Sequence, residues 1–596
     1  MKNFFTSFFG AIVGVLIALV LCTLIFVGIV VGSVNEVFKN EKDNVFAVKP
    51  KSILMLDFKT GITERKIENP LANFKWSSLG EDPALGLDEI MKDIKKAKED
   101  SAIKGLYLHF SSVPTGMAST EEIRNAILDF KSSGKFICAY SEMYDQKGYY
   151  LASTADKVFL NPQGGMELKG LSAQIMFFKK MLDNLDIEMQ IFRHGKFKSA
   201  IEPFMLDKMS EANRLQTEVF MGSIWNNILQ GIVKQRGLSL EELNSIADNL
   251  QLKNPQSAVD LKLIDGLKYE DEVLSFLKNK TGIKESDKLN LVSLADYTRA
   301  PEKKKEGGKT LAKDKIAVIY AVGQIQSGEG NEQTIGSESL VKAIREARLD
   351  NNVKAIVLRV NSPGGSALAS DVMWREVALA KKAKPLVVSM GDVAASGGYY
   401  ISCAADKIYA QANTITGSIG VFGLMPNAQK LLSEKLGIKV DTVNTNKHSD
   451  VGTIFRPVTE VERAYIQKSV EDIYGVFISR VAEGRKMSIA EVDSIGQGRV
   501  WSGTDALKIK LVDELGGLDK AIAYAAEKAK VSDYRLISLP KQKNPLDAFF
   551  NKKADEAEAR LMSKNLGPQY EYLKHIQDIM SMKGIQARMP FDFVIN

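Results

Sequence analysis

Hydrophobic residues in the second half of the chain fall into short continuous runs separated by segments with helical periodicity. Four runs have the length and composition of buried strands: KIAVIYAV (315–322), AIVLRV (355–360), PLVVSM (385–390) and KIYAQA (407–412). Two segments repeat apolar residues at a spacing of about 3.6, as amphipathic helices do: ESLVKAIREARLD (338–350) and ASDVMWREVALAKKA (369–383). Apolar strands that alternate with helices predict a mostly parallel sheet covered by helices.

The chain repeats itself at a nearly constant spacing. GYYLASTADKVFLNP (148–162) matches GYYISCAADKIYAQA (398–412), and IKGLYLHFSSVPTG (103–116) matches VKAIVLRVNSPGGS (353–366), both at an offset of 250. We therefore expect two copies of one α/β domain. The predicted boundaries, in order, are a first copy at 48–300, a charged linker at 301–315, a second copy at 316–540 and a helical tail at 541–596.

The N-terminus carries a long apolar segment. Residues 8–32 are almost wholly apolar, which exceeds the span of about 20 residues that crosses a bilayer. Residues 1–47 are therefore expected to form a membrane anchor and juxtamembrane segment, with the N-terminus inside and the remainder outside the cytoplasm. A cleaved signal peptide is the alternative, but its apolar region usually has about 7–15 residues and ends at an Ala-x-Ala-like site, which is missing here.

Composition narrows the classes of function. In 596 residues the net charge is only +6 and the basic residues are spread along the chain, so we expect no nucleic-acid partner. The cysteines, Cys22, Cys138 and Cys403, lie far apart, and the four histidines have no metal-binding spacing. Neither common glycine-rich phosphate motif occurs. These observations predict an enzyme without metal or cofactor, or a binding protein.

One serine, Ser396, lies in the small-residue turn AASGG (394–398), between a predicted strand and a predicted helix. Gly397 permits a tight turn and close approach of a ligand. The N–H groups at a helix N-terminus can also hold a developing negative charge. Taken alone, however, this stretch favours a simpler role for Ser396, that of an ordinary helix N-cap.

A second turn rich in glycine follows another predicted strand. In LRVNSPGGSALAS (358–370), the pair Gly364 and Gly365 follows Pro363 and leaves backbone N–H groups exposed in a loop. An ordinary strand-to-helix turn explains such a loop equally well. The N–H of Gly397, which follows Ser396, could be one donor of an oxyanion hole, and this loop could supply the second. The sequence leaves open which glycine of the pair would donate.

A nucleophilic serine requires a base. Lys198 lies in FRHGKFKSAIEPF (192–204), among apolar residues whose burial would favour the neutral amine. The ordinary lysine pKa of about 10.4 would have to fall to about 7–8, as it does for catalytic lysines. A histidine is the alternative, because a Ser-His-Asp triad through His194 or His448 is compatible with any order of residues along the chain.

Several of these stretches together resemble one known family. They are RVNSPGGS (359–366), ASGGYYIS (395–402), TGSIGVFG (416–423) and GKFKSAIEPF (195–204), found with the N-terminal apolar segment and the internal repeat. The combination is similar to the long, two-copy form of the signal peptide peptidase A family, also called protease IV. The resemblance covers nearly the whole chain. It implies a tandem repeat of two Clp protease/crotonase-like α/β domains behind an N-terminal transmembrane helix.

The resemblance also implies a serine–lysine dyad. Ser396 would be the nucleophile and Lys198 the general base, and the backbone N–H groups of Gly397 and Gly364 would form the oxyanion hole. Ser418, in TGSIG, resembles a serine that orients the lysine, although an ordinary turn serine fits that place as well. No cofactor and no metal are implied.

Substrates, assembly and location are likewise expectations from the resemblance. It implies hydrolysis of peptide bonds in hydrophobic signal peptides that remain after secretory proteins are processed. It further implies a homotetramer held in the bacterial inner membrane by a single span, with the catalytic part on the periplasmic side.

The repeat gives an independent argument about the site. Gln146 stands where the second copy has Ser396, and Pro114, which has no N–H to donate, stands where it has Gly364. Conversely, Ser449 of the second copy aligns with Lys198. Each copy therefore lacks what the other retains. We expect one composite site, with the nucleophile and oxyanion hole from the second copy and the base from the first, and neither half active alone.

Three other readings remain open at this stage. A crotonase-like enzyme acting on acyl thioesters would have a similar oxyanion hole but would not need Ser396 or Lys198. A catalytically inactive membrane-bound scaffold would not react with serine-directed probes. A peptidase with His194 as its base would lose activity with that histidine and not with Lys198.

Overall fold

Each copy contributes a sheet covered by helices in the computed structural model of the protein. The structure describes residues 46–66, 84–301, 312–331, 333–542 and 584–589, and separate positions between residues 10 and 25. The strands of the first copy are β1 (Ser52–Leu56), β2 (Ile62–Thr63), β3 (Leu85–Gly86), β4 (Ile103–His109), β5 (Phe136–Tyr144), β6 (Lys157–Met166), β7 (Glu188–Arg193), β8 (Gly266–Leu267) and β9 (Leu291–Ser293). Its helices are α1 (Leu87–Glu99), α2 (Met117–Lys131), α3 (Gln146–Ala152), α4 (Lys179–Asn184), α5 (Glu211–Arg236), α6 (Leu240–Asp248), α7 (Pro255–Asp260), α8 (Glu270–Thr281) and α9 (Leu294–Thr298).

The second copy contains corresponding elements and additional short strands. Its strands, with the strand near the C-terminus, are β10 (Lys315–Val322), β11 (Gln324–Gln326), β12 (Gly330–Asn331), β13 (Thr334–Gly336), β14 (Val353–Ser362), β15 (Gly364–Ser366), β16 (Leu386–Ala395), β17 (Lys407–Ala410), β18 (Ile415–Gly417), β19 (Phe422–Asn427), β20 (Val500–Ser502), β21 (Glu514–Leu515), β22 (Arg535–Leu539) and β23 (Gln586–Arg588). Its helices are α10 (Ser337–Leu349), α11 (Ala367–Ala383), α12 (Gly397–Ser402), α13 (Glu460–Arg485), α14 (Ile489–Ile495), α15 (Gly503–Lys508) and α16 (Leu518–Ala529).

The two main sheets are built alike. The first has the order β8-β6-β5-β4-β1-β9, with every neighbouring pair parallel. The second has the order β20-β18-β16-β14-β10-β22, with β17 beside β16, and β18–β20 is its one antiparallel pair among the described residues. This matching order confirms that the chain contains two copies of one fold, and it confirms the predicted mostly parallel sheets.

Helices on both faces of a sheet explain why the strands read as continuous apolar runs. On β14, Ile356, Leu358 and Val360 belong to one hydrophobic core, whereas Ala355 and Val357 face another core on the opposite side. Successive side chains of a strand point to opposite faces, so a strand covered on both sides must be apolar at nearly every position.

A third sheet joins the copies. Its order is β12-β13-β11-β15-β23-β19-β7, and it contains strands from both copies and from the C-terminal segment. Strand β7 of the first copy pairs antiparallel with β19 of the second, from Arg193 opposite Phe422 to Glu188 opposite Asn427. Because β7 leads directly into the loop that carries Lys198, this pairing places a first-copy loop beside the second-copy sheet.

A buried ion cluster also links the copies. Arg359, on β14, is fully buried, and its guanidinium lies 2.8 Å from a carboxylate oxygen of Glu64 and 2.6 Å from one of Glu122. Burial raises the pKa of Glu122 to about 7, although the positive charge of Arg359 acts in the opposite direction. The cluster therefore fixes the central strand of the second copy against α2 and the segment after β2 of the first.

We expect the substitution Arg359→Leu to lower the free energy of unfolding by about 3–5 kcal/mol, because it leaves two buried carboxylates without their partner. The urea midpoint of the full chain measures this effect. The matched control is Arg345→Leu on α10, where the arginine side chain is 54% exposed and pairs with Glu376. That pair should contribute less than about 1 kcal/mol. Equal losses in the two variants would contradict a structural role for the buried cluster.

The predicted terminal segments lie largely outside the described residues. Within the predicted span 8–32, described positions such as Val15, Ile17 and Leu19 are helical and exposed. No helix in the described part of the chain is long and apolar enough to cross a membrane. Most of the predicted linker and tail also falls outside the described part, but where a helical tail was predicted, residues 586–588 form the strand β23.

Candidate active site

The backbone at Ser396 is strained. Strand β16 ends at Ala395, helix α12 begins at Gly397, and Ser396 between them has φ 54° and ψ −112°. Its N–H donates to the carbonyl of Gly417 at 2.8 Å, and the residue is fully buried. Positive φ is uncommon for residues other than glycine, and such strain concentrates at functional sites.

The side chain of Ser396 does not cap the helix that follows it. It makes no capping hydrogen bond with α12, so the N-cap role that the isolated stretch favoured is wrong. Its hydroxyl donates instead to the carbonyl of Gly420 at 3.3 Å and lies beside the amine of Lys198. The nucleophile expected from the sequence is thus turned away from the helix and toward the expected base.

Lys198 reaches Ser396 from the other copy. Its Nζ lies 2.8 Å from Ser396 Oγ, 3.1 Å from Ser418 Oγ and 3.2 Å from the carbonyl oxygen of Ser418. All three side chains are fully buried. The structure therefore brings together three of the residues that the sequence singled out, although 198 positions separate Lys198 from Ser396 in the chain.

Burial sets the protonation of this lysine. Removal from water lowers the pKa of Lys198 well below its ordinary value, because the charged ammonium loses its hydration. The groups hydrogen-bonded to its amine in the described structure are hydroxyls and a carbonyl, which carry no negative charge to offset that loss. A neutral lysine amine has a lone pair and can accept a proton.

Loops of the second copy close around the lysine stem. The N–H of Phe197 donates to the carbonyl of Gln497 at 3.0 Å. A Cβ added to Gly498, which has φ +84°, would lie 2.7 Å from the Cα of Lys198, and one added to Gly420 would lie 3.4 Å from its Cδ. Gly498 is therefore required for this close approach, which keeps water from the amine.

Two glycine-containing turns meet next to the serine. Gly364 has φ +96°, and a Cβ added there would lie 2.7 Å from the N atom of Gly397. The N–H of Gly364 already donates to the hydroxyl of Ser362 at 3.2 Å. The two glycines expected at the oxyanion hole are therefore in contact, but the amide of Gly364 has a partner of its own.

The alternative bases lie in other environments. The ring of His194 stacks on Tyr474 with 4.0 Å between centroids. His448 places Nδ1 2.9 Å from a carboxylate oxygen of Glu462. Among the hydrogen bonds of the described residues, neither histidine is joined to Ser396 Oγ. The geometry thus favours lysine over histidine.

Other chemistry is not assembled within the part of the chain that the structure describes. There, no group of three or more His, Cys, Asp or Glu residues could hold a metal ion. Burial raises the pKa of the thiols of Cys138 and Cys403 to about 12, so both remain protonated at neutral pH.

Comparison with known proteins identifies the family. The sequence profile described as "Peptidase family S49" matches residues 129–284 and 378–532, one region in each copy. The chain belongs to peptidase family S49. The first matched region contains Lys198 and the second contains Ser396, so both copies of this S49 peptidase contribute to the candidate site.

Relatives of this S49 peptidase are named as proteases. "Serine protease SPPA, chloroplastic" of Arabidopsis thaliana is 34% identical over 85% of this chain and 74% of its own length. "Protease 4" of Salmonella typhi is 39% identical over 80% of this chain and 77% of its own length. "Protease 4" of Haemophilus influenzae is 36% identical, over 74% and 72% respectively. This S49 peptidase is accordingly a serine protease.

One solved structure superposes on about a third of the chain. A ClpP1 mutant from Listeria monocytogenes is 16% identical over 34% of this chain and 94% of its own, with a TM-score of 0.24. An overlap of that quality does not establish a common fold.

In the first copy of the S49 peptidase, the residue equivalent to Ser396 has a structural role. Gln146 is buried, and its side-chain oxygen accepts hydrogen bonds from the N–H groups of Lys169 at 2.8 Å and Gly170 at 2.9 Å. The glutamine thus ties helix α3 to a neighbouring loop, a role that needs no nucleophile.

The other equivalent positions are also structural. Ser449, aligned with Lys198, lies in a turn where its hydroxyl donates to the carbonyl of Asn446 at 3.0 Å. The carbonyl of Pro114, aligned with Gly364, accepts from the N–H of Ile62 at 3.0 Å. The S49 peptidase thus brings one candidate residue from each copy, Lys198 and Ser396, into contact.

Sequence reasoning missed several residues of the site. Gly420 accepts from Ser396, Gly498 makes room for Lys198, and Ser362 accepts from the amide of Gly364. Gly420 lies within TGSIGVFG (416–423), and Gly498 lies within GQGR (496–499), where the two glycines could indicate a tight turn in the S49 peptidase. Neither signal stands out, because glycine-containing turns are common throughout proteins.

Proposed function

We propose that the protein is a serine endopeptidase in which Ser396 is the nucleophile and Lys198 the general base. The observation that carries this proposal is the 2.8 Å separation of Lys198 Nζ and Ser396 Oγ in a fully buried site. A serine hydroxyl becomes an effective nucleophile only when a neighbouring base takes its proton. The lowered pKa of Lys198 makes its neutral amine available for that purpose.

Acylation is the first half of the reaction. As Ser396 Oγ attacks the carbonyl carbon of the scissile bond, its proton passes to Lys198 Nζ. The resulting ammonium then donates that proton to the leaving amine, and the carbon–nitrogen bond breaks. The acyl group remains as an ester on Ser396.

The oxyanion formed during attack needs backbone donors. The N–H of Gly397 is unpaired by its position in the first turn of α12, and the Pro-Gly-Gly loop lies against it. The amide of Gly364 remains the donor predicted from the sequence. In this structure that amide donates to the hydroxyl of Ser362 at 3.2 Å, a partner it would exchange for the oxyanion.

Deacylation reverses the proton transfers. Lys198, neutral again after the amine leaves, takes a proton from the water that attacks the ester. It then returns that proton to Ser396 Oγ as the carbon–oxygen ester bond breaks and the second product leaves. Ser418 is positioned to orient the lysine, because its hydroxyl and carbonyl both lie within 3.2 Å of Nζ.

The names of relatives and the N-terminal sequence support a proposal for the substrate class and cellular setting. A relative from Enterococcus faecium, 34% identical over 37% of this chain, bears the name "Putative signal peptide peptidase SppA". A serine peptidase site in a chain that the apolar segment 8–32 would anchor to a membrane suits hydrophobic peptides such as cleaved signal peptides. We place the enzyme in the bacterial inner membrane with its Clp/crotonase-like domains on the periplasmic side, as a homotetramer.

A fluorophosphonate probe tests the dyad directly. We expect it to label Ser396, as read by peptide mass spectrometry. Below the lowered pKa of Lys198 the amine is protonated and cannot act as a base, so the labelling rate should rise with pH through that pKa. The rate should then be constant above it, with a midpoint well below the ordinary lysine pKa of about 10.4.

Two variants separate the possible bases. Lys198→Ala should remove the labelling, and His194→Ala should leave both the rate and its pH midpoint unchanged. A midpoint near about 6.5 that disappears in His194→Ala would instead assign the base to a histidine. Unlabelled wild-type protein would favour the inactive scaffold or the thioester enzyme.

A further inference from the structure

A buried glutamine holds the loop that carries Lys198. Lys198 lies between Phe197 and a short 3-10 helix, Ser199–Phe204. Gln216, on α5, is 1% exposed. Its side-chain nitrogen lies 3.0 Å from the carbonyl oxygen of Phe197 and 3.0 Å from the hydroxyl of Ser199. One side-chain amide therefore binds the residues on both sides of the lysine.

The same side chain reaches the second copy. The N–H of Val500, the first residue of β20, donates to the side-chain oxygen of Gln216 at 3.2 Å. Val500 lies opposite Gly417 in the antiparallel pair of β20 and β18, and the carbonyl of Gly417 accepts from the N–H of Ser396 at 2.8 Å. Hydrogen bonds and strand pairing thus connect the loop of Lys198, through Gln216, to the backbone of Ser396.

Other buried polar groups hold Gln216 in one orientation. Its side-chain nitrogen also lies 3.2 Å from Oδ1 of Asn213, which is on the preceding turn of α5. The side-chain amide of Asn213 donates to one carboxylate oxygen of Glu202 at 2.9 Å, and the hydroxyl of Ser210 donates to the other at 2.6 Å. Asn213 and Glu202 are as buried as Gln216. A fully bonded network of this kind makes its members rigid.

The second copy differs at the equivalent place. Helices α5 and α13 both have 26 residues, and both begin after a hydroxyl N-cap, Ser210 in one and Thr459 in the other. Counted from these caps, Gln216 corresponds to Tyr465, which is 71% exposed. The fold of this helix therefore does not require a buried amide at that position. The amide is present in the copy that contributes Lys198.

We propose that Gln216 is a positioning residue that fixes the distance between Lys198 Nζ and Ser396 Oγ across the junction of the two copies. The inference rests on the proposed Ser396–Lys198 dyad. A base acts only within hydrogen-bond reach of the proton that it takes, and a displacement of about 1 Å can lower a rate about 100-fold. Without the amide, the buried carbonyl of Phe197 and the N–H of Val500 lose this partner, so the loop must move or admit water.

Gln216→Met in the full chain tests this inference, because methionine has a similar volume but no amide. The rate at which the fluorophosphonate probe labels Ser396 should reach a plateau at high pH about 10–100-fold below that of the wild type, since the base is displaced. Burial lowers the pKa of Lys198, so water beside the loop should also raise the midpoint of the pH dependence, by about one unit. A plateau and a midpoint equal to those of the wild type would overturn the inference.

Gln146→Met is the matched control. Gln146 is also a buried glutamine of the first copy, and its side chain binds the backbone N–H groups of Lys169 and Gly170 on a neighbouring loop. Thermal melts should show that both variants are less stable than the wild type. Only Gln216→Met should change the labelling plateau and its pH midpoint. If Gln146→Met had the same effect on labelling, Gln216 would have a merely structural role.

A milder substitution carries the test if Gln216→Met does not fold. Ser199→Ala removes one hydrogen-bond acceptor of Gln216 and leaves its bonds to Phe197 and Val500 in place. We expect the labelling plateau to fall in the same direction as in Gln216→Met, but by less. A folded Ser199→Ala chain that is labelled like the wild type at every pH would contradict the positioning role.

Lys198→Ala keeps this inference apart from the proposed function. If that variant loses labelling while Gln216→Met keeps the wild-type plateau and midpoint, the dyad stands and the role of Gln216 is refuted. If Lys198→Ala is labelled like the wild type, the dyad itself fails, and the positioning role of Gln216 fails with it.

Discussion

Hydrolysis of a peptide substrate is expected to fall by at least about 10⁴-fold when Ser396 is replaced by alanine. The hydroxyl of Ser396 is the group placed 2.8 Å from the buried amine of Lys198, and alanine offers no atom to form the ester. Because the substitution removes a single oxygen from a buried site, the fold should persist. Steady-state rates and a thermal melt of the same preparation measure the two effects.

Ser402→Ala is the matched control for this variant. Ser402 is also fully buried and lies on the same short helix, where its hydroxyl donates to the carbonyl of Gly398 at 2.7 Å. Its loss should lower the free energy of unfolding by about 0.5–1.5 kcal/mol, the contribution of one internal hydrogen bond, and should leave the rate almost unchanged, because Ser402 makes no hydrogen bond with Ser396 Oγ or Lys198 Nζ among the described residues. Comparable rates for Ser396→Ala and the wild type would remove Ser396 from the mechanism.

Lys198→Met is expected to abolish hydrolysis and to stabilise the protein. Methionine fills the space of the lysine stem but has no amine to accept a proton, so we expect a loss of at least about 10³-fold in rate. The free energy of unfolding should increase by about 1–2 kcal/mol at pH 7, as is common when a strained functional residue is replaced. Burial of the lysine without a negative partner opposes folding.

The pH dependence of that stabilisation has a definite sign. The folded chain holds Lys198 with a lowered pKa, so between this pKa and the ordinary value of about 10.4 the unfolded chain binds a proton that the folded chain does not. Wild-type stability from this group therefore rises with pH across that window. The advantage of Lys198→Met should be largest below the window and vanish above about pH 10.4.

Lys196→Met provides the comparison for both measurements. Lys196 lies two positions earlier on the same loop, and its side chain is exposed. Its replacement should leave the rate of hydrolysis unchanged. At every pH it should change the free energy of unfolding by no more than a few tenths of a kcal/mol. If Lys196→Met and Lys198→Met had the same effects, the special environment of Lys198 would be refuted.

The main sheets could be predicted because the local pattern of apolar residues marks their strands and the helices beside them. The buried strands β14 and β16 contain apolar runs, and the helices beside them show regular amphipathic spacing, so the sequence contains both signals. The proximity of Lys198 and Ser396 could also be anticipated, because comparison of the two copies places Gln146 and Ser449 at the positions of these candidate residues. That argument needs only the repeat and the similar folding of its copies.

The third sheet could not be predicted in the same way. Strands β7 and β19 lie in different copies, and β15 and β23 have only three residues each, so no periodicity marks them as partners. The register between distant strands depends on tertiary packing and not on the local pattern. For this reason no local pattern indicated that β23 joins the third sheet beside β15.

The backbone of Ser396 shows the limit of local rules. A serine before a short helix is normally an N-cap. Applied to this stretch alone, that rule assigned Ser396 the wrong role. The surrounding structure holds the residue at φ 54° and forces its hydroxyl away from the helix. Such strain is imposed by the contacts of β16, β18 and the loop after it, which are not contained in the stretch itself.

The pairing of β7 with β19 has a consequence for the timing of activity during synthesis. The ribosome makes Lys198 first, and 198 residues separate it from Ser396. At about 5–20 residues per second, this separation corresponds to roughly 10–40 s of translation. Until β19 emerges, the lysine loop has no sheet to join and no hydroxyl to activate. On the proposed Ser396–Lys198 dyad, we expect proteolysis to begin only when the second copy has folded against the first.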